Sequence, residues 1–222
     1  MSRSTNKRAI AAYKYPHSAE AEAFRKLRTN IELNSVQQPL QTLMVTSSEP
    51  GEGKSTVAAN LAVTYALAGQ RVALIDANLR KPVLHRTFAQ LNGWGLVSVL
   101  NGQCALKDAI YDTEIDQLKL IPSGPVPHNP TDLILSNVMR SALAELKERF
   151  DLILFDSPPV LTFPDAQILS MHCDGVILVV RSGKLKQPAA AKAKRDLEHV
   201  NARIVGAVLN HFSNRSKGLI HL

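Results

Sequence analysis

The sequence predicts an α/β fold in which a mostly parallel central sheet is flanked by helices on both faces, and three observations predict it. Short segments rich in valine, isoleucine and leucine recur along the chain and are apolar at nearly every position. Helical patterns separate them, as crossovers between parallel strands require. One strand-to-helix junction also carries two glycines followed by a lysine and two hydroxyl residues, Gly51 to Thr56.

The elements follow in order. Residues 1–18 read as a flexible N-terminal segment ahead of a single domain over 19–222, which opens on a helix bearing Glu22, Arg25 and Arg28. Residues 42–47 suit a buried strand, and 55–68 place alanine and leucine at helical spacing. Further strands are expected at 71–76 (RVALID), 118–122, 151–156 (DLILFD), 175–180 (GVILVV) and 203–210 (RIVGAVLN). Helices are expected at 96–100, 132–149, 165–171 and 188–200. Thr131 or Asp132 suits the cap of the long helix, and Pro188 suits a first-turn position. Strands apolar on both sides must be covered on both sides, and ligands then gather at their carboxyl ends.

That rule gives the motifs their chemistry. Pro50-Gly51-Glu52-Gly53-Lys54-Ser55-Thr56 has the form of a phosphate-binding P-loop. Glycines at 51 and 53 permit positive φ, so that successive N–H groups point inward at the positive end of the following helix dipole. Lys54 is placed to reach the β- and γ-phosphates of a nucleotide, and the Ser55 hydroxyl to complete the coordination of Mg²⁺. An ordinary glycine-rich turn before a capped helix is the plain alternative, and the strand and helix on either side argue against it. Ser48 stands where the pattern has its first glycine, at the loop entry. Asp76 and Asp156 each end an expected strand, so both carboxylates emerge at the edge that holds the loop. A single strand-end aspartate is as readily a cap or turn residue, whereas two beside this loop favour a metal-nucleotide site. There Asp76 is placed to accept the proton of an incoming hydroxyl and Asp156 to hold the metal through its water shell. Arg80 and Lys81 follow closely enough to lend positive potential.

Composition narrows the function. A chain of 222 residues, 45% hydrophobic and 20% charged, can bury one full core. Its formal net charge of +7 is scattered, with one tryptophan, Trp94, and no aromatic interleaving, so no nucleic-acid partner is expected. The lysines around 184–195 read as a solvated helix face. Cys104 and Cys173 offer neither a metal spacing nor a disulfide framework and fit a reducing compartment. No apolar run has the length of a membrane span, and residues 1–8 lack the apolar stretch of a signal peptide, so a cytoplasmic location is expected.

Taken together, Gly51-Glu52-Gly53-Lys54-Ser55-Thr56, Ile75-Asp76-Ala77-Asn78-Leu79-Arg80-Lys81-Pro82 and Leu154-Phe155-Asp156-Ser157-Pro158-Pro159 resemble the Walker A, A′ and B motifs of the bacterial tyrosine kinases. Glu22, Arg25 and Arg28 match the Glu-x-x-Arg-x-x-Arg element that these kinases use for ring-shaped self-association, and Ser123-Gly124-Pro125 with Asn129-Pro130 is similar to their loop before the long helix. The resemblance implies a P-loop NTPase fold, ATP and Mg²⁺, and transfer of the γ-phosphate to tyrosine on protein substrates. It also implies a homo-oligomeric ring and recruitment to the inner face of the cell membrane by a membrane-embedded activator, in the control of exopolysaccharide or capsule export. Asn210 is placed near the adenine by similar ATPases, and a strand-ending turn explains it equally well. The spacing of Glu22 and Arg25 likewise suits a simple pair within one helix.

Two positions depart from the family pattern. Asn78 stands where the second A′ aspartate is usual, and an amide cannot take up a proton at working pH, so catalysis is expected to be weakened or to rest on Asp76. Residues 214–222 contain none of the tyrosines of the family's C-terminal cluster. Tyr13 and Tyr15 are the candidate exposed acceptors unless they pack the N-terminal segment onto the domain; Tyr65 falls inside a helix pattern and Tyr111 is ambiguous. The rivals are a partitioning or cluster-carrier ATPase, for which Glu49 stands where a lysine is characteristic, and an ATP-binding scaffold with vestigial catalysis.

Overall fold

The computed structural model describes residues 10–183 and 187–211. Expectations for residues 1–9, for Lys184 and Lys186 and for 214–222 lie outside the described residues.

Seven strands form one sheet: β1 (Thr42–Ser47), β2 (Val72–Asp76), β3 (Tyr111–Asp112), β4 (Leu118–Ile121), β5 (Leu152–Asp156), β6 (Gly175–Arg181) and β7 (Ile204–Asn210). Their spatial order is β3-β4-β2-β5-β1-β6-β7, parallel throughout except for the antiparallel edge pair β3–β4. The period of two along each strand assigns its side chains to two cores. Met44, Ile75, Ile153, Phe155 and Leu178 face one side, and Leu43, Val45, Leu74, Leu154 and Ile177 face the other. Both sets are buried, which is why these strands read as continuous apolar runs rather than alternating ones.

The second face is covered by α1 (Ala11–Lys14), α2 (Ala19–Asn34), α3 (Lys54–Ala66) and α4 (Leu84–Thr87), through Ile10, Ile31, Leu61 and Leu84. The first is covered by α5 (Leu96–Leu100), α7 (Asn137–Arg149), α8 (Asp165–Ser170) and α9 (Gln187–His199), through Leu100, Leu143, Leu169 and Leu197, with α6 (Pro130–Leu135) packed against α8. Ser18 caps α2 by accepting from the Ala21 N–H at 3.1 Å.

Two expectations are corrected. The helix expected over 132–149 is two helices, because Ser136 is extended at ψ 156° and its hydroxyl caps the second by accepting from the Met139 N–H. A serine with that option competes with helix continuation, and local capping prevails. Thr131 and Asp132 therefore do not cap a long helix; the Thr131 hydroxyl donates to Asp165 instead. Within residues 10–18, Ile10 and Ala12 are buried and the Ala12 N–H donates to Asn60 Oδ1 of α3 at 2.9 Å, while 13–17 are exposed.

Candidate active site

The register of three strands builds the site. Asp156 lies opposite Asp76 on one side and Val45 on the other, so both carboxylates and the end of β1 share one edge of the sheet. The P-loop leaves β1 after Ser47 and enters α3 at Lys54. Gly51 and Gly53 have φ of 82° and 92°, and a Cβ on Gly53 would lie 1.9 Å from Asn210 Nδ2. Glycine is required there on two counts, backbone conformation and space.

Side chains hold the loop from behind. The buried Glu52 carboxylate accepts from the Glu49 N–H through one oxygen, at 2.8 Å, and from the Arg181 N–H at the end of β6 through the other, at 3.2 Å. Asn210 donates to the Glu52 carbonyl at 2.9 Å. Its amide thus ties the end of β7 to the loop. The bracing role of Glu52 was not legible in the sequence, since its two partners lie on opposite flanks of the loop.

Asp76 and Asp156 are fully buried. One oxygen of Asp76 accepts from the Val83 and Leu84 N–H groups, at 2.8 and 2.9 Å, and so caps the short α4; its other oxygen has no hydrogen-bond partner. Neither oxygen of Asp156 has a partner of normal geometry, although the Ser55 hydroxyl sits close enough to favour its ionised form. Burial pushes both carboxyl groups well above the ordinary range. For Asp76 the charge of Asp156 adds to the rise and the N–H groups of Leu84, Val83 and Asn78 oppose it. For Asp156 the Lys54 ammonium and the Ser55 hydroxyl oppose it. Lys54 is buried, and its ammonium lies close enough to Asp156 to favour the ionised carboxylate.

These oxygens test whether Mg²⁺ and a nucleotide fit. Three buried carboxylate oxygens without partners, beside a loop that excludes a Cβ, are the donor set of a hard cation that takes its remaining ligands from phosphates and water.

Arg80, Arg28 and the Glu22–Arg25 pair are engaged elsewhere, whereas Asn78 borders this centre through an N–H that favours the ionised form of Asp76. Arg80 donates two hydrogen bonds to the buried Asp165, at 2.7 and 3.1 Å, and stacks 4.0 Å above the Phe163 ring, so its charge is committed away from the loop. Thr131 donates to the same carboxylate at 2.7 Å. Asn78 is buried, and its carbonyl accepts from the Lys81 N–H. Glu22 and Arg25 pair within α2 at 2.7 Å, whereas Arg28 turns toward α3 and donates to the Thr64 carbonyl at 3.3 Å. At the opposite sheet edge a cavity of about 220 Å³ is lined by Arg71, Gln117, Lys119, Arg149 and Phe150. Each of its cations already has an acidic partner, Asp151, Asp112 or Glu145.

Comparison with known proteins decides among the readings. A family described as an AAA domain matches residues 40–202. The tyrosine-protein kinase YwqD of Bacillus subtilis is 43% identical over 203 residues, covering 91% of this chain and 86% of that protein. The chain belongs to the bacterial tyrosine kinases. The kinase domain of the Escherichia coli tyrosine kinase ETK superposes with a TM-score of 0.89 at 30% identity, over 96% of this chain and 84% of that one. The septum site-determining protein MinD of Pyrococcus horikoshii, a structure containing Mg-ADP, matches less well, with a TM-score of 0.67 at 27% identity over 80% and 72% of the two chains. This bacterial tyrosine kinase is therefore an ATP- and Mg²⁺-dependent enzyme on a P-loop fold, and the rival ATPase and scaffold readings gain no support. No helix among its described residues is long and apolar enough to cross a membrane.

Proposed function

We propose that this kinase transfers the γ-phosphate of ATP to tyrosine on protein substrates from the centre formed by Lys54, Ser55, Asp76 and Asp156, in the control of exopolysaccharide or capsule synthesis and export. The observation that carries the site is the pair of buried, facing aspartates with three unpartnered oxygens beside the P-loop lysine.

Phosphoryl transfer needs the phosphates positioned, the developing charge neutralised and the acceptor hydroxyl oriented. Pro50 to Thr56 supply the turn of backbone amides, with Gly51 and Gly53 setting its shape and Glu52 and Asn210 holding it closed. Lys54 neutralises charge on the transferred group. Ser55 and Asp156 would hold Mg²⁺, which when bound withdraws charge from the phosphate oxygens. Asp76 keeps one oxygen on the α4 amides and turns the other to the acceptor hydroxyl, whose proton its raised pKa suits it to take. Asn78 cannot share that proton.

The kinase acts with a membrane-embedded activator that recruits it from the cytoplasm to the inner face of the membrane, and it self-associates as a ring through the α2 face bearing Glu22, Arg25 and Arg28. Supporting this reading are the exposure of the Glu22–Arg25 pair and the likeness to tyrosine-protein kinases such as the putative kinase CapB of Staphylococcus aureus. The deciding experiment follows ³²P from ATP into tyrosine against release of free phosphate, with and without the activator's cytoplasmic segment. Phosphate release without tyrosine labelling under either condition overturns the proposal. Charge reversal, Arg28→Glu, should shift the protein toward monomer in sedimentation, and an unchanged mass rules out the ring face.

A further inference from the structure

Of the four tyrosines in this chain, Tyr13 and Tyr15 are the most exposed. Tyr65 lies within α3 at 4% exposure, where burial pushes its phenol well above the usual range. Tyr111 sits on the edge strand β3 with its hydroxyl donating to the Trp94 carbonyl at 3.3 Å. Tyr13 and Tyr15 are 37% and 50% exposed, on the strap formed by residues 10–16. The two differ in what they do. Tyr13 donates to the Glu114 carbonyl at 3.3 Å, tying the strap to a turn 101 residues away.

That turn is acidic. Asp112, Glu114 and Asp116 are all exposed on it, and the nearby Lys119 is already paired with Asp112. Across the strap, Ile10 and Ala12 are buried against α3, and the Ala12 N–H is held by Asn60, whose side-chain amide donates in turn to the Thr56 carbonyl in the first turn after the P-loop. The hydroxyl of Tyr13 is therefore the outer fastening of a segment whose inner fastening touches the nucleotide-binding helix.

We propose that Tyr13 is a phosphate acceptor of this kinase and that its phosphorylation undocks residues 10–15. The inference rests on the tyrosine-kinase reading of the site. In the step, the bond between the γ-phosphorus of ATP and its bridging oxygen breaks and ADP leaves with that electron pair. The phenolic oxygen of Tyr13 forms the new P–O bond, and its proton passes to the catalytic carboxylate of the subunit that acts on it. The acceptor is reached when the strap opens transiently, and the product keeps it open. Esterification removes the phenolic proton that Tyr13 gives the Glu114 carbonyl, and the negative charge of the phosphate meets Glu114 and Asp116 across the broken contact, Asp112 being paired with Lys119. A modification that excludes the docked state shifts the population to the open one.

The sequence makes the test direct. Trypsin cuts after Arg8, Lys14 and Arg25, so Tyr13 and Tyr15 fall on separate peptides, 9–14 and 15–25. The full chain is incubated with ATP and Mg²⁺, with a glutamate–tyrosine copolymer added in a parallel reaction, and phosphopeptides are mapped by mass spectrometry. Phosphate on peptide 9–14, absent in Tyr13→Phe, is expected. The amide of Ala12 should then exchange hydrogen roughly tenfold faster or more in the phosphorylated protein, as the loss of its fastening requires. Copolymer labelling with peptide 9–14 unmodified overturns this inference and leaves the kinase reading intact, whereas no labelling of either defeats both. Phosphorylated Tyr13 with unchanged Ala12 exchange overturns the undocking. Because Tyr13→Phe removes the Glu114 hydrogen bond by itself, a Glu114→Gln, Asp116→Asn double variant separates charge from hydrogen bonding: it should keep the label and reduce the exchange increase.

Discussion

The P-loop geometry predicts a specific failure in Gly53→Ala. Gly53 has φ of 92°, a conformation that costs an L residue about 1 to 2 kcal/mol. A methyl group there would also stand 1.9 Å from Asn210 Nδ2, so Asn210 must swing away and release the Glu52 carbonyl, a loss of about 0.5 to 1.5 kcal/mol. The sum, about 1.5 to 3.5 kcal/mol, falls on the loop shape that receives phosphates. With tenfold for each 1.4 kcal/mol, ATP should bind roughly 10- to 300-fold more weakly. Titration calorimetry with ATP and Mg²⁺ measures this, and far-ultraviolet circular dichroism checks that the sheet is intact. The two costs separate in an Asn210→Ala background, where only the backbone cost remains and Gly53→Ala should weaken binding by roughly 5- to 30-fold. Affinity within threefold of wild type in the single variant refutes the reasoning. An equal penalty in both backgrounds refutes the steric part.

Three further outcomes are expected. Asp76 and Asp156 hold protons in the folded state that the unfolded chain releases, so their contribution to stability is complete below the ordinary value of 3.8 and is lost as pH rises. The melting temperature of nucleotide-free protein should therefore fall more steeply from about pH 5 to about pH 8 than that of Asp156→Asn, and parallel curves count against it. Arg80→Ala strands the buried Asp165 carboxylate and should cost roughly 3 to 5 kcal/mol in urea denaturation, while a loss under about 1 kcal/mol means the pair is not structurally important. Asn78→Asp restores a second carboxylate to the A′ segment and should raise phosphotransfer, by as much as about 10²- to 10⁴-fold if the group does acid-base work; equal turnover in both forms defeats this.

The acidic pair and the P-loop were legible because each is written locally. A strand long enough to be buried, an aspartate at its carboxyl end and glycines before Lys54 are short-range patterns, and the parallel-sheet rule then brings all the strand ends to one edge. The break at Ser136 was also local, but the apolar spacing on either side masked it, and only the extended backbone of that residue reveals two helices. The pairing of Arg80 was not legible for a different reason. Its partner lies 85 residues on, at the start of α8, and no spacing in the chain announces that contact.

By itself the sequence marked which residues are suited to phosphate chemistry, because hydrogen-bonding capacity, charge and backbone freedom are properties of residue types. Tertiary structure alone decided how they are shared out. It gave one oxygen of Asp76 to the α4 amides and left the other unpartnered, and it set Asn210 and Glu52 behind the loop. It also placed the Tyr13 hydroxyl against an acidic turn. Each of these depends on distances between segments far apart in the chain, and those distances exist only once both faces of the sheet are packed.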